Sequence, residues 1–109
     1  MRRLVFVEQR PLIGRVVPIE SDASIGREGC DVLLPDPEVS RRHAVLLSLD
    51  GGPAIADLGS TNGTFVNDVR IEDVTPLREG DEVRLGNTVW RVERSGATTR
   101  IARIPETSS

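Results

Sequence analysis

A chain of 109 residues has room for one domain and one core, and an apolar fraction of 38% with mixed charge suits a folded rather than a disordered chain. Fourteen arginines, no lysine and seventeen acidic residues leave a formal net charge of −3, which excludes generic attraction to nucleic acid or anionic membrane. The aromatics are only Phe6, Phe65 and Trp90, too few for a base-stacking platform.

In chain order, Arg3 to Val7 and Arg15 to Ile19 read as two short strands, separated by Gln9 to Gly14 with Pro11 and Gly14. Ser24-Ile25-Gly26 and Asp31 to Leu34 are further strand candidates. Ala44 to Leu49 is a strong apolar strand, ended by Asp50-Gly51-Gly52-Pro53, and Ala54 to Leu58 follows. Thr64-Phe65-Val66 and Val69-Arg70-Ile71 flank Asn67-Asp68, a two-residue hairpin turn. Asp81 to Leu85 alternates polar and apolar, turns at Gly86-Asn87, and returns as Thr88 to Glu93. No stretch keeps a helical period over three turns. Many short strands with frequent turns predict an all-β sandwich, with Val45, Leu47, Leu49, Val83, Leu85, Val89 and Val92 as expected core residues. Residues 1–94 are expected to form this domain, and 95–109, where alternation fades, a tail or linker.

Cys30 is the one cysteine, so no internal disulfide can form, and a reducing, cytoplasmic setting is expected. Met1-Arg2-Arg3 begins like a signal peptide, but the apolar run Leu4 to Val7 is too short for one, and no later run could span a membrane.

Three segments that fall at strand ends carry hydroxyls, an amide and fixed cations: Gly26-Arg27, Ser40-Arg41-Arg42-His43 and Ser60-Thr61-Asn62-Gly63-Thr64. A phosphorylated side chain has nearly two charges and three acceptor oxygens at neutral pH. It needs several donors, at least one of them a fixed cation, and loops must supply them because strand backbones are already paired. Arg27, Ser40, Arg41, Thr61 and Asn62 fit that inventory, and guanidinium matches phosphate oxygens in a way ammonium cannot.

These words, with SIGRE, VSRRHA, DLGSTNGTFVN and LREGDEVRLG around them, resemble the forkhead-associated (FHA) domain family over about residues 3 to 94. The resemblance implies a β-sandwich of eleven strands that binds phosphothreonine peptides, without catalysis or cofactor, and partners that are a Ser/Thr kinase or its substrate rather than nucleic acid or membrane. Carried over by position, it implies that Arg27 and Ser40 contact phosphate, Arg41 phosphate or peptide backbone, and Thr61 the phosphate. Asn62 would hold the peptide main chain. Gly26, His43 and Gly63 would shape the loops. Arg42 is expected to be peripheral or structural for a separate reason: in an extended segment it would point to the opposite side from Arg41. The family's preference for threonine over serine implies an apolar dent for the methyl, worth about 0.8 kcal/mol when filled. Glu38, two residues before Ser40, is expected to disfavour an acidic residue three positions after the phosphothreonine. The alternative function is a phosphate-independent interaction domain of the same fold.

Other chemistries fit less well. A Ser40–His43–Asp57 nucleophile has no strand-turn-helix elbow, and a strand spacing of three would separate its first two members. One His and one Cys cannot build a zinc site. Asp57 to Thr61 looks like a phosphate loop of actin-like sugar kinases, but the chain lacks the two α/β lobes which that loop requires. Thr98, with Ile101 three residues on, Thr99 and Thr107 are phosphorylation candidates in the tail.

Overall fold

The alternating segments pair into eleven strands in the computed structural model, which describes residues 4–11, 14–19 and 22–94. One sheet has six strands in the order β2 (Val16–Pro18), β1 (Leu4–Arg10), β11 (Thr88–Arg94), β10 (Glu82–Leu85), β7 (Thr64–Val66), β8 (Val69–Arg70). The other has five, in the order β4 (Val32–Leu33), β3 (Ala23–Gly26), β5 (Ala44–Leu49), β6 (Gly52–Asp57), β9 (Thr75–Pro76). All pairings are antiparallel except β3 with β4. Between the sheets lie Phe6, Ile25, Leu46, Ile55, Val83, Leu85, Trp90 and Val92, all fully buried. The Phe6 and Trp90 rings meet at 4.7 Å and 32°, which ties β1 to β11 at the centre of the core. Asn67 and Asp68 both take positive φ, 51° and 68°, the mirror-image turn expected between two twisted strands.

The core differs from expectation on β5. Ala44 and Leu46 are buried there, whereas Val45 and Leu47 are half-buried and Leu49 is 51% exposed. Every residue from 44 to 47 is apolar, so the alternation has no readable phase, and bulk pointed to the wrong face. Val83, Leu85 and Val92 are in the core as expected. Val89 is buried but sits outside the core cluster, opposite Arg84 and Arg10, because residues three apart on a strand face opposite ways. β1 runs on to Arg10 past an irregular register at Glu8, and β6 begins two residues early, at Gly52. β9, only two residues and one of them Pro76, left no pattern to detect. Residues 95–109, with Thr98, Thr99 and Thr107, lie outside the described residues.

Asp36 joins the sheets near one end of the sandwich. It is 6% exposed, and its carboxylate accepts hydrogen bonds from the Glu38 N–H (2.9 Å), the Asn87 N–H (2.8 Å) and the Thr88 hydroxyl (2.9 Å). The segment leading to Ser40 is thereby pinned to the β10–β11 turn. Burial raises the Asp36 pKa, but these hydrogen bonds outweigh it and hold the carboxyl below its ordinary value. A carboxyl depressed in the fold contributes stability above its unfolded value of 3.8 and loses it as pH falls through the lower folded value. Asp36→Asn turns one acceptor into a donor facing other donors. It is expected to cost about 2 kcal/mol at pH 7 in chemical denaturation and to soften the acid limb of the stability curve below pH ~4. An unchanged limb would contradict the role given to Asp36.

Candidate functional site

The register Ile25–Ala44–Asp57 sets the end of β3, the start of β5 and the end of β6 side by side. The start of β7 faces the end of β10 on the other sheet through Thr64–Leu85. The connections 27–31, 34–43 and 58–63 therefore gather at one end, beside the β10–β11 turn. All three segments singled out in the sequence meet there.

Gly26 makes the first junction possible. A Cβ at this position would overlap the Arg41 carbonyl and come within 2.8 Å of the Cys30 Sγ. With only hydrogen present, the Arg27 N–H reaches the Ser40 carbonyl (3.1 Å) and the Glu28 N–H the Arg41 carbonyl (3.3 Å). The Arg27 side chain is then held by one bond, Nε to the Val39 carbonyl at 3.0 Å. Arg27 is exposed, and no carboxylate among the described residues pairs with Arg27, Arg41 or Arg42.

Ser40 joins the second and third loops. Its hydroxyl oxygen accepts the Thr61 N–H at 3.1 Å, which leaves the hydroxyl proton to donate outward. Its backbone N–H donates to His43 Nδ1 at 3.1 Å, while His43 Nε2 lies 2.8 Å from the Gly63 carbonyl. Since Nδ1 accepts, Nε2 carries the proton and donates to Gly63. His43 is fully buried and fixes both loops by these bonds. Segment 40–43 is bent rather than extended, so Ser40 and His43 do meet, contrary to the strand spacing assumed from sequence. They meet through the Ser40 backbone: the imidazole takes the peptide N–H and gives the hydroxyl no base. Asp57 Oδ1 stands 4.0 Å from His43 Nε2, beyond hydrogen-bond reach.

Asp57 organises the third loop instead. It accepts from the Ser60 hydroxyl (2.5 Å), the Thr64 hydroxyl (2.7 Å) and the N–H groups of Gly59 (2.9 Å) and Ser60 (3.0 Å). The Ser60 hydroxyl oxygen in turn accepts the Gly63 N–H at 2.9 Å. Burial raises the Asp57 pKa, and these four bonds more than offset it, leaving the carboxyl lowered. Gly63 has φ of +89°, a conformation that favours glycine, and a Cβ there would come within 2.8 Å of Arg70 Nε.

Asn62 is exposed, with its amide nitrogen on the Glu38 carbonyl (2.8 Å) and the Glu38 carboxylate (3.1 Å). Both neighbours only accept, so the amide NH₂ faces them and Oδ1 is left to accept from outside. Arg27, Arg41, Thr61 and Asn62 are all exposed and Ser40 half-buried, at one end of the sandwich.

Sequence reasoning missed Asp36 and gave Asp57 only the part of an orienter in an unsupported triad. The available signal was short polar spacing: Asp57 with Gly59 and Ser60, and Asp36 with Glu38, are local side-chain-to-backbone turn patterns. Gly26→Ala is expected to destabilise the domain by about 2 kcal/mol or more, because a backbone carbonyl must move. Thermal unfolding measures it, and an unchanged midpoint would mean the 27–31 and 34–43 loops do not pack as described.

Comparison with known proteins places this architecture. The family model for the FHA domain matches residues 23–86. The ABC transporter ATP-binding/permease protein Rv1747 of Mycobacterium tuberculosis is 46% identical over 82 residues, covering 68% of this chain but 9% of the transporter. The glycogen accumulation regulator GarA of Mycolicibacterium smegmatis is 40% identical over 86 residues, 76% of this chain and 53% of the regulator. The chain thus spans only a fraction of these relatives' length. A solved structure from a study of phosphothreonine-dependent FHA domain interactions superposes with a TM-score of 0.75 at 33% identity, covering 84% of this chain and 95% of that one. The FhaA FHA domain, solved in complex with the intracellular domain of Rv3910, gives 0.74 at 34% identity over 83% of this chain and 99% of that one. With its family match over more than half its length and its loops built on the family's words, this chain belongs to the FHA domain family.

Proposed function

We propose that this domain captures phosphothreonine segments of partner proteins in Ser/Thr kinase signalling, binding the phosphate without cleaving it. The observation that carries the reading is the donor set at the loop end: the Arg27 guanidinium held by its bond to the Val39 carbonyl, the Ser40 hydroxyl oriented by the Thr61 N–H, and the exposed Arg41, which pairs with no carboxylate among the described residues. These supply fixed charge and directed protons to a dianion, a recognised mode of phospho-motif capture. Asn62 Oδ1 offers an acceptor to a peptide N–H, and Glu38 beside it disfavours an acidic neighbour. Gly26, His43 and Gly63 support the loops without touching ligand. The binding domain is residues 1–94, with 95–109 as a tail or linker. A reducing, cytoplasmic setting fits the unpaired Cys30, and among the described residues no helix is long and apolar enough to cross a membrane.

Calorimetric titration with a phosphothreonine peptide and its unphosphorylated twin tests the reading. Binding is expected only with phosphate, and equal binding of both would favour the phosphate-independent alternative. Arg27→Ala is expected to weaken the complex by about 2 kcal/mol, near thirtyfold, by removing a charge-assisted bond. Wild-type affinity in that variant would displace the site. The second phosphate ionisation falls near pH 6, so the ligand loses negative charge as pH drops. Affinity is expected to fall between pH 7.5 and 5.5, and a flat profile in the still-folded domain would argue against dianion recognition.

A further inference from the structure

The outer face of the six-stranded sheet carries a row that the phosphate site does not use. Arg70 on β8 stands opposite Phe65 on β7, Phe65 opposite Arg84 on β10, Arg84 opposite Val89 on β11, and Val89 opposite Arg10 on β1. Residues directly opposite share a face, so five side chains from five strands form one line. Their chain neighbours Val83, Leu85 and Trp90 point the other way, into the core. The Arg84 guanidinium lies over the Phe65 ring, 4.1 Å from its centroid, a cation–π contact that tethers it to β7.

No carboxylate among the described residues lies within ion-pair distance of Arg10, Arg70 or Arg84, whereas Arg91 pairs with Glu82 at 3.0 Å and Arg94 with Glu79 at 2.9 Å. An unpaired cationic row on a chain of net charge −3 is a local feature. It is also continuous with the loop end. A cavity of about 350 Å³ is lined by Glu38, Asn62, Arg84, Gly86 and Asn87, and a second of about 650 Å³ by Arg10, Pro11 and the same Arg84, Gly86 and Asn87. The shared residues make one open trough from Asn62 to Arg10.

We infer that this trough receives an acidic segment of the same partner that presents the phosphothreonine; the inference rests on the function proposed above. The occupant follows from charge and dimensions. Crossing from β7 to β1 takes three strand spacings, about 14 Å, or about four to five residues of extended chain. The stem of Arg84 and the ring of Pro11 line the trough beside its cations, which suits the short stems of Asp and Glu. Glu38 stands at the near end, so the acidic residues begin beyond it rather than next to the phosphothreonine. A row one residue wide on an acidic protein suits a peptide better than a nucleic acid or a lipid surface, whose affinity needs many charges at once.

The test uses the full 109-residue chain and three phosphothreonine peptides. One has neutral flanks, one has four aspartates starting four residues after the phosphothreonine, and one has them starting four residues before it. At 50 mM salt one acidic peptide is expected to bind about fivefold to tenfold tighter than the neutral one, and the gain is expected to collapse at 500 mM. The double variant Arg10→Gln, Arg84→Gln should remove the gain and leave affinity for the neutral peptide unchanged. No gain with either acidic peptide, or a gain that survives in the variant, overturns the inference. If the neutral peptide fails to bind at all, the phosphothreonine reading fails on its own. The trough is then tested with an unphosphorylated acidic peptide by amide shift mapping: shifts at Arg84 and Val89 that the variant loses support it, and their absence overturns it. Anionic vesicles or oligonucleotides that bind the row more tightly than the acidic peptide would overturn the choice of occupant.

Discussion

The loop end of the sandwich hangs on the hydrogen bonds of His43. Its backbone N–H reaches the Ile25 carbonyl on β3, and its own carbonyl accepts the Leu58 N–H. Its ring takes the Ser40 N–H on one nitrogen and gives a proton to the Gly63 carbonyl on the other. One fully buried residue thus engages β3, its own loop and both ends of the 58–63 loop. A buried backbone group without a partner is costly, so removing the imidazole would release two of them at once. Placement of Ser40 relative to Thr61 depends on those two bonds, and with it the direction in which the hydroxyl proton points.

Around this hinge the charges divide by depth. Asp36 and Asp57 face inward and spend their acceptors on loop N–H groups and hydroxyls. Arg27, Arg41 and Arg42 at the loop end are exposed. Neutral hydrogen bonds from serine, threonine and backbone, rather than arginines, satisfy the inner carboxylates. That arrangement leaves Arg27 and Arg41 without a carboxylate partner among the described residues, in a protein whose net charge is negative. The same division extends over the sheet, where Arg10, Arg70 and Arg84 have no acidic partner among the described residues, but the neighbouring row is closed by Arg91 and Glu82. A local cationic surface on an acidic body favours selective capture of an anionic segment over general adhesion.

Much of this was legible in the sequence, for physical reasons. The all-β class followed from strand periods and turn residues, and Asn67-Asp68 gave a hairpin because both positions tolerate positive φ. The three loop words could be assembled because each sits at a strand end and antiparallel pairing brings such ends together. β5 resisted, since four consecutive apolar residues carry no phase. Asp36 resisted because its partners Asn87 and Thr88 are about fifty residues away, and no local pattern announces a contact of that range. Gly26 was singled out by its motif, yet its reason, a carbonyl of another loop where a Cβ would lie, exists only in three dimensions. The bent path of Ser40 to His43 was hidden likewise, because a short polar segment between strands has no period to read.

Backbone amide chemical shifts during titration with a phosphothreonine peptide test the central claim most directly. The largest changes are expected at Arg27, Ser40, Arg41, Thr61 and Asn62, with the unphosphorylated peptide leaving them unmoved. Changes confined to the exposed face of the five-stranded sheet, or equal changes with both peptides, would contradict it.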